Sequence, residues 1–163
     1  MKQLGNSLFK VSNFQRAIEK YQKAVRYLHA LHPCPEELES LTIDQKKEYF
    51  SIKISSLLNE SMCHLKLEAF QNAKKSSSNV IDTSKRLLNT EFKLSNQDLT
   101  KAYFRRGLAC LKMNAVEESI GDLGIARGLD GNDKLIEREL FTAEKLLRER
   151  RAKEKKAYSR MFD

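Results

Sequence analysis

The sequence predicts an all-α fold in which helix–turn–helix pairs stack side by side and a long C-terminal helix closes the stack. Three observations carry that expectation. Turn formers are scarce, with 6 Gly and 2 Pro in 163 residues, too few for the many tight turns of a sandwich or barrel. Small residues recur at one fixed spacing in three separate segments, and apolar residues at helical intervals run through the basic C-terminal stretch. With 40% apolar and 32% charged residues the chain has the composition of a folded domain rather than of a disordered one.

One spacing repeats along the chain, and it decides the fold class. In the first unit Gly5 is followed 12 residues later by Ala17 and 7 further on by Ala24; Ser61, Ala73 and Val80 repeat that spacing, and Gly107, Ser119 and Ala126 repeat it again. A small residue in one helix lets a second helix approach, the second helix offers its own small residue at the crossing, and apolar residues three and four apart fill the remainder. Ser12-Asn13 and Asn114 mark the turns inside the first and third units. No such pair buries its apolar face alone, so the pairs must stack. The units are expected at about residues 1–31, 44–88 and 97–129, forming one domain over 1–131.

The units start 56 and 46 residues apart, from Gly5 to Ser61 to Gly107. The excess around residues 34–48 and 89–97 reads as lengthened helices plus loops, with Pro33 and Pro35 ending the second helix. Residues 132–163 read as one capping helix. Its expected apolar stripe is Leu135, Leu140, Phe141, Leu146 and Leu147, and the charged part beyond Arg148 projects into solvent.

Several classes are disfavoured. No stretch approaches the roughly 18 apolar residues of a membrane span, and the first residues lack a signal-type apolar run. Cys34, Cys63 and Cys110 are odd in number and far apart, which fits a reducing compartment and no paired metal ligands. Cys63, Cys110 and His64 fall at packing positions, and His29 and His32 show no ligand pattern. Gly121-Asp122-Leu123-Gly124 lies mid-helix, so it is not a phosphate loop. No nucleophile–base pair is visible, and neither catalysis, a cofactor nor a metal is expected of this chain. The net charge of +8 favours an acidic partner.

The faces expected to line the concave side carry Lys2 and Asn6, four apart; Asn59; and Lys101 and Arg105, again four apart. Lysines supply point charges, arginine a fork matched to a carboxylate, and asparagines donors for carboxylate or peptide backbone. A C-terminal aspartate, with two carboxylates, suits that set. An i,i+4 pair of this kind is also the ordinary make-up of a solvated helix face.

The repeat resembles the tetratricopeptide repeat, whose period is about 34 residues. This chain departs from that pattern in its longer intervals, in Gly131 where the family usually has proline, and in lacking a large mid-repeat aromatic in the second unit. The resemblance implies three helix–turn–helix pairs in a right-handed superhelix of seven helices, the last being the C-terminal cap. The five polar residues resemble the carboxylate clamp of co-chaperones that bind the C-terminal Met-Glu-Glu-Val-Asp tail of heat-shock protein 90, or the related tail of heat-shock protein 70. By that resemblance Lys2, Asn6, Asn59, Lys101 and Arg105 hold the peptide, and Phe9 walls the pocket for its valine.

The stretch before Leu57-Leu58-Asn59, the run Lys101-Ala102-Tyr103-Phe104-Arg105-Arg106 and the terminal Lys155-Lys156-Ala157-Tyr158-Ser159-Arg160-Met161-Phe162 are similar to the C-terminal half of immunophilins. The large cyclophilins of the forty-kilodalton type are nearest and the FK506-binding type next. That likeness implies an upstream peptidyl-prolyl isomerase domain, a first helix that begins before Met1, and a cytoplasmic or nuclear location. A second reading assigns the basic C-terminal helix, anchored by Tyr158, Met161 and Phe162, to calmodulin, nucleic acid or an anionic surface.

Overall fold

The computed structural model describes residues 1–31, 35–88 and 90–159. Eight helices follow one another: α1 (Lys2–Lys10), α2 (Phe14–Leu31), α3 (Pro35–Glu39), α4 (Ile43–Lys66), α5 (Phe70–Leu87), α6 (Asn96–Lys112), α7 (Val116–Leu129) and α8 (Lys134–Ser159). No strand occurs among the described residues. α1 packs on α2, α4 on α5 and α6 on α7; α4 packs between α2 and α5, α6 follows α5, and α8 lies on α7. The first helices of the pairs, α1, α4 and α6, also touch one another in succession.

Size at the crossings explains the packing. Ala17, Ser61, Ala73, Ser119 and Ala126 are fully buried, and Gly5, Gly107, Ala24 and Val80 are buried with them. A Cβ on Gly5 would stand 2.5 Å from Tyr21 Cε1, and one on Gly107 would stand 2.9 Å from Leu123 Cγ. Both contacts are shorter than packed carbons tolerate.

Each pair turns in the same way. Ser12, Glu68 and Asn114 take positive φ of 58°, 56° and 62°, each 7 residues after the small residue of its first helix. The next amide reaches back to the helix: Asn13 N–H to Leu8 O, Ala69 N–H to His64 O and Ala115 N–H to Cys110 O, all at 2.9 Å. This six-to-one bond with a left-handed residue is the Schellman stop, and it satisfies carbonyls that the helix end would leave bare. Thr42 starts α4 with a reciprocal capping box to Gln45, and the Ser95 hydroxyl caps α6 through the Asp98 amide.

Two ion pairs between helices, one partly buried and one exposed, hold the third pair in place. Arg106 donates from Nε and Nη2 to both oxygens of Asp122 at 2.7 and 2.6 Å, joining α6 to α7. Lys74 of α5 pairs with Glu118 of α7.

Two expectations need correction. Seven helices were expected, and eight occur among the described residues. Pro35 does not merely end the second helix; it opens α3, because its fixed φ and missing N–H suit the first helical position. The apolar stripe of α8 is also not as expected. Ile136, Leu140 and Ala143 are buried and Leu147 packs beside them on Val116 and Leu123. Leu135, Phe141 and Leu146 are 43%, 61% and 41% exposed. The angular position of each residue on the helix, not its size, decides which face meets α7.

Beyond Leu147 every described α8 residue is exposed. There Arg150 pairs with Glu154 at 3.2 Å and approaches Glu117 of α7 at 3.9 Å. Of the anchors in the second reading, Tyr158 is exposed, whereas Met161 and Phe162 lie outside the described residues, as do His32, Pro33 and Cys34.

Candidate functional site

The face shared by α1, α4 and α6 is built around Asn6. Gly5 lets α1 settle on the ring of Tyr21, and the Tyr21 hydroxyl then donates to Asn6 Oδ1 at 2.8 Å. Asn59 Nδ2 of α4 donates to the same oxygen at 3.0 Å. With Oδ1 occupied twice, the Asn6 amide is fixed and its NH2 is left to donate outward. Burial, then the neighbouring Cys63, holds the Tyr21 phenol above its usual range, partly offset by a hydrogen bond with Asn59. Tyr21 therefore stays a neutral donor.

Arg105 reaches this centre from α6. Its Nη1 donates to the carbonyl of Leu58, the residue before Asn59. Burial pushes the guanidinium down to about 10, with Cys63 pulling it back up. It stays charged at neutral pH, desolvated, with no ion-pair partner among the described residues. The planar fork retains further N–H donors for an incoming carboxylate.

Asn6 and Asn59 thus meet directly, and Arg105 is tied to the backbone of the residue before Asn59. Lys101 sits one turn before Arg105 on α6, half-buried and without an ion-pair partner among the described residues. Lys2 sits one turn before Asn6, at a cavity of about 460 Å³ lined also by Tyr27, Leu28, Glu48 and Ile52. Phe9 meets Phe14 edge-on at 5.3 Å and packs against Ala17, Ile18, Tyr21 and Cys63, so it belongs first of all to the core of the first pair.

Beneath the site lies a network that the sequence reading missed. Gln22 Nε2 of α2 donates to Glu60 Oε1 at 3.0 Å, and His64 Nε2 lies 3.4 Å from the same oxygen. His64 is buried, and it serves as this partner of Glu60. Cys63 is fully buried, and burial raises its thiol to about 11, so it is a packing residue rather than a nucleophile. Cys110 is likewise buried and its thiol raised, first by burial.

Stacked helix pairs with left-handed turns at one register, small residues at each crossing and a polar face along the first helices define a tetratricopeptide-repeat domain. Among solved structures, the C-terminal TPR-containing domain of a Plasmodium falciparum FK506-binding protein superposes with a TM-score of 0.74 at 25% identity, covering 93% of this chain and 88% of that one. The first TPR of Spaghetti (RPAP3), bound to the HSP90 peptide SRMEEVD, superposes with a TM-score of 0.63 at 22% identity, covering 90% and 89%. In sequence, the chain is 36% identical to peptidyl-prolyl cis-trans isomerase D of Mycosarcoma maydis over 175 residues, covering 99% of this chain and 42% of that protein. It is 29% identical to human peptidyl-prolyl cis-trans isomerase FKBP4 over 163 residues, covering 100% of this chain and 31% of that protein. No protein-family model matches the chain. The chain is therefore a tetratricopeptide-repeat domain in fold, similar in sequence to part of these two peptidyl-prolyl cis-trans isomerases, and it spans 31% and 42% of their length.

Proposed function

We propose that the α1–α4–α6 face binds the C-terminal Met-Glu-Glu-Val-Asp tail of heat-shock protein 90 through a carboxylate clamp. The observation that carries this reading is the Asn6–Asn59 hydrogen bond with the desolvated Arg105 anchored on the adjoining Leu58 carbonyl. A partly buried cation without an ion-pair partner, beside fixed amide donors, gains from an incoming anion. Lys101 and Arg105 take one carboxylate of the terminal aspartate, while Lys2 and the amides of Asn6 and Asn59 take the other. Phe9, one turn after Asn6, walls the valine. The likeness to a domain solved with the peptide SRMEEVD supports the same reading.

Binding is expected at micromolar Kd, roughly −8 kcal/mol, because a flexible peptide loses much entropy on docking. The function is that of a protein-interaction module. In a longer protein it would tether a peptidyl-prolyl isomerase domain to the chaperone in the cytoplasm, as the names and lengths of its relatives suggest. Calorimetric titration with Met-Glu-Glu-Val-Asp, as free acid and as C-terminal amide, tests the clamp. The acid binds, and both the amide and the Lys101→Ala protein lose at least tenfold in affinity. Equal affinity for acid and amide would remove the clamp reading. A parallel titration with the heat-shock protein 70 tail ranks the two tails.

A further inference from the structure

A second basic site lies on the other side of α4. Lys53 stands six residues before Asn59, which at 3.6 residues per turn carries it roughly 120° around the helix from the clamp. There α2 and α5 flank a valley of about 230 Å³, floored by Val25 and Leu57 and walled by His29, Lys53, Thr83 and Arg86. The polar lining comes from three helices, one group each from α2 and α4 and a ladder along α5 that runs from Asn79 through Asp82 and Thr83 to Arg86. Such convergence is what a small multidentate ligand requires.

The charges there are unmatched. Among the described residues neither Lys53, Arg86 nor His29 has a carboxylate within ion-pair distance. The single acid of the lining, Asp82, lies 3.9 Å from Lys85. Lys53 is half-buried, with Nζ 5.7 Å from the centroid of the Tyr49 ring. Burial, then Arg86, holds its ammonium below the usual range; burial, then Lys53, does the same to His29. His29 is thus neutral at neutral pH, while Lys53 and Arg86 repel each other across the valley and neither is within ion-pair distance of Asp82.

We propose that this valley binds a phosphate group, free or carried as a phosphomonoester. Lys53 supplies the point charge, Arg86 the fork, and His29 and the Asn79 amide further N–H donors. The Thr83 hydroxyl donates to the Asn79 carbonyl at 2.7 Å and is already engaged. Phosphate is favoured over a single carboxylate because its tetrahedral oxygens can meet donors from three directions and its second charge offsets more than one cation. The site is an open valley rather than a basic stripe, with His29, Asp82 and Arg86 exposed along its walls, and Asp82 interrupts any continuous track for a nucleic-acid backbone.

The test is a titration of backbone amide resonances with inorganic phosphate, and in a second arm with a neutral blocked peptide carrying one phosphoserine. Sodium chloride at matched ionic strength is the control. Saturable shifts clustered on His29, Lys53, Thr83 and Arg86 are expected, weakened at least tenfold in the Lys53→Met, Arg86→Met double variant. Both replacements keep the apolar stems, and an unchanged helical circular-dichroism spectrum and Tm show that the variant is folded. The arm that saturates at lower concentration identifies the source of the phosphate. Shifts that are linear, or matched by chloride, or unaltered in the double variant would overturn the proposal.

Discussion

Replacing glycines by alanine separates the packing argument from simple helix propensity. On propensity alone every helical Gly→Ala change should stabilise by about 1 kcal/mol. The structure predicts three different outcomes. At Gly121 the new Cβ meets nothing within 4 Å, so the full gain of about 1 kcal/mol is expected. At Gly107 the Cβ meets Leu123 Cγ at 2.9 Å and Asp122 Cβ at 3.1 Å, and Leu123 is fully buried. Overpacking of this kind costs about 1–3 kcal/mol, so the net change runs from neutral to about 2 kcal/mol destabilising. At Gly5 the Cβ meets three atoms of the Tyr21 ring, the nearest at 2.5 Å, and the ring is 1% exposed. The ring must shift, which also strains its 2.8 Å bond to Asn6. Overpacking of about 1–3 kcal/mol and a lost hydrogen bond of about 1 kcal/mol then exceed the propensity gain, leaving a net loss of about 1–3 kcal/mol. Urea denaturation followed by circular dichroism reads these differences as shifts in midpoint at constant m value. The order Gly121→Ala above wild type above Gly5→Ala is the expected result. A Gly5→Ala protein as stable as Gly121→Ala would refute the idea that the small residues are set by helix–helix approach.

Glu68 holds φ of 56° at the turn between α4 and α5; that region costs a side-chain-bearing residue about 1–2 kcal/mol and glycine very little. Glu68→Gly is therefore expected to stabilise by about 0.5–1 kcal/mol net of glycine's entropy, read as a rise in Tm, and a fall in Tm would show that Glu68 makes a compensating contact. Arg105→Met removes a desolvated charge whose bonded partner, the Leu58 carbonyl, also accepts from Ser61 Oγ at 2.8 Å. Stability is expected to stay within about 1 kcal/mol of wild type or to rise, while tail-peptide binding is lost; a fall of about 3 kcal/mol or more would make Arg105 a structural residue.

How much of this was legible in the sequence depends on how local each cause is. The positions Gly5 and Ala17 and their repeats could be read because close approach at the crossing favours a small residue, and the position of Ala24 because it recurs as an apolar residue. The turn at Asn114 could be read because asparagine tolerates positive φ, whereas Glu68 adopts the same conformation without any residue signal. Pro35 was ambiguous, since proline both ends one helix and begins another. On α8, choosing the largest apolar residues led to Leu135 and Phe141, whereas Ala143 is fully buried because its angular position brings it against α7. At the site, the residue types at repeat-matched positions could be named from the sequence. The bond that orients them could not: Tyr21 and Asn6 are 15 residues apart, and they meet only because Gly5 lets the two helices close. The same small residue thus sets the packing of the first pair and aims the amide that the proposed clamp depends on. A repeat scaffold can therefore carry a precise polar site on short helices: the crossing geometry that stabilises each pair also fixes the rotamers facing the groove.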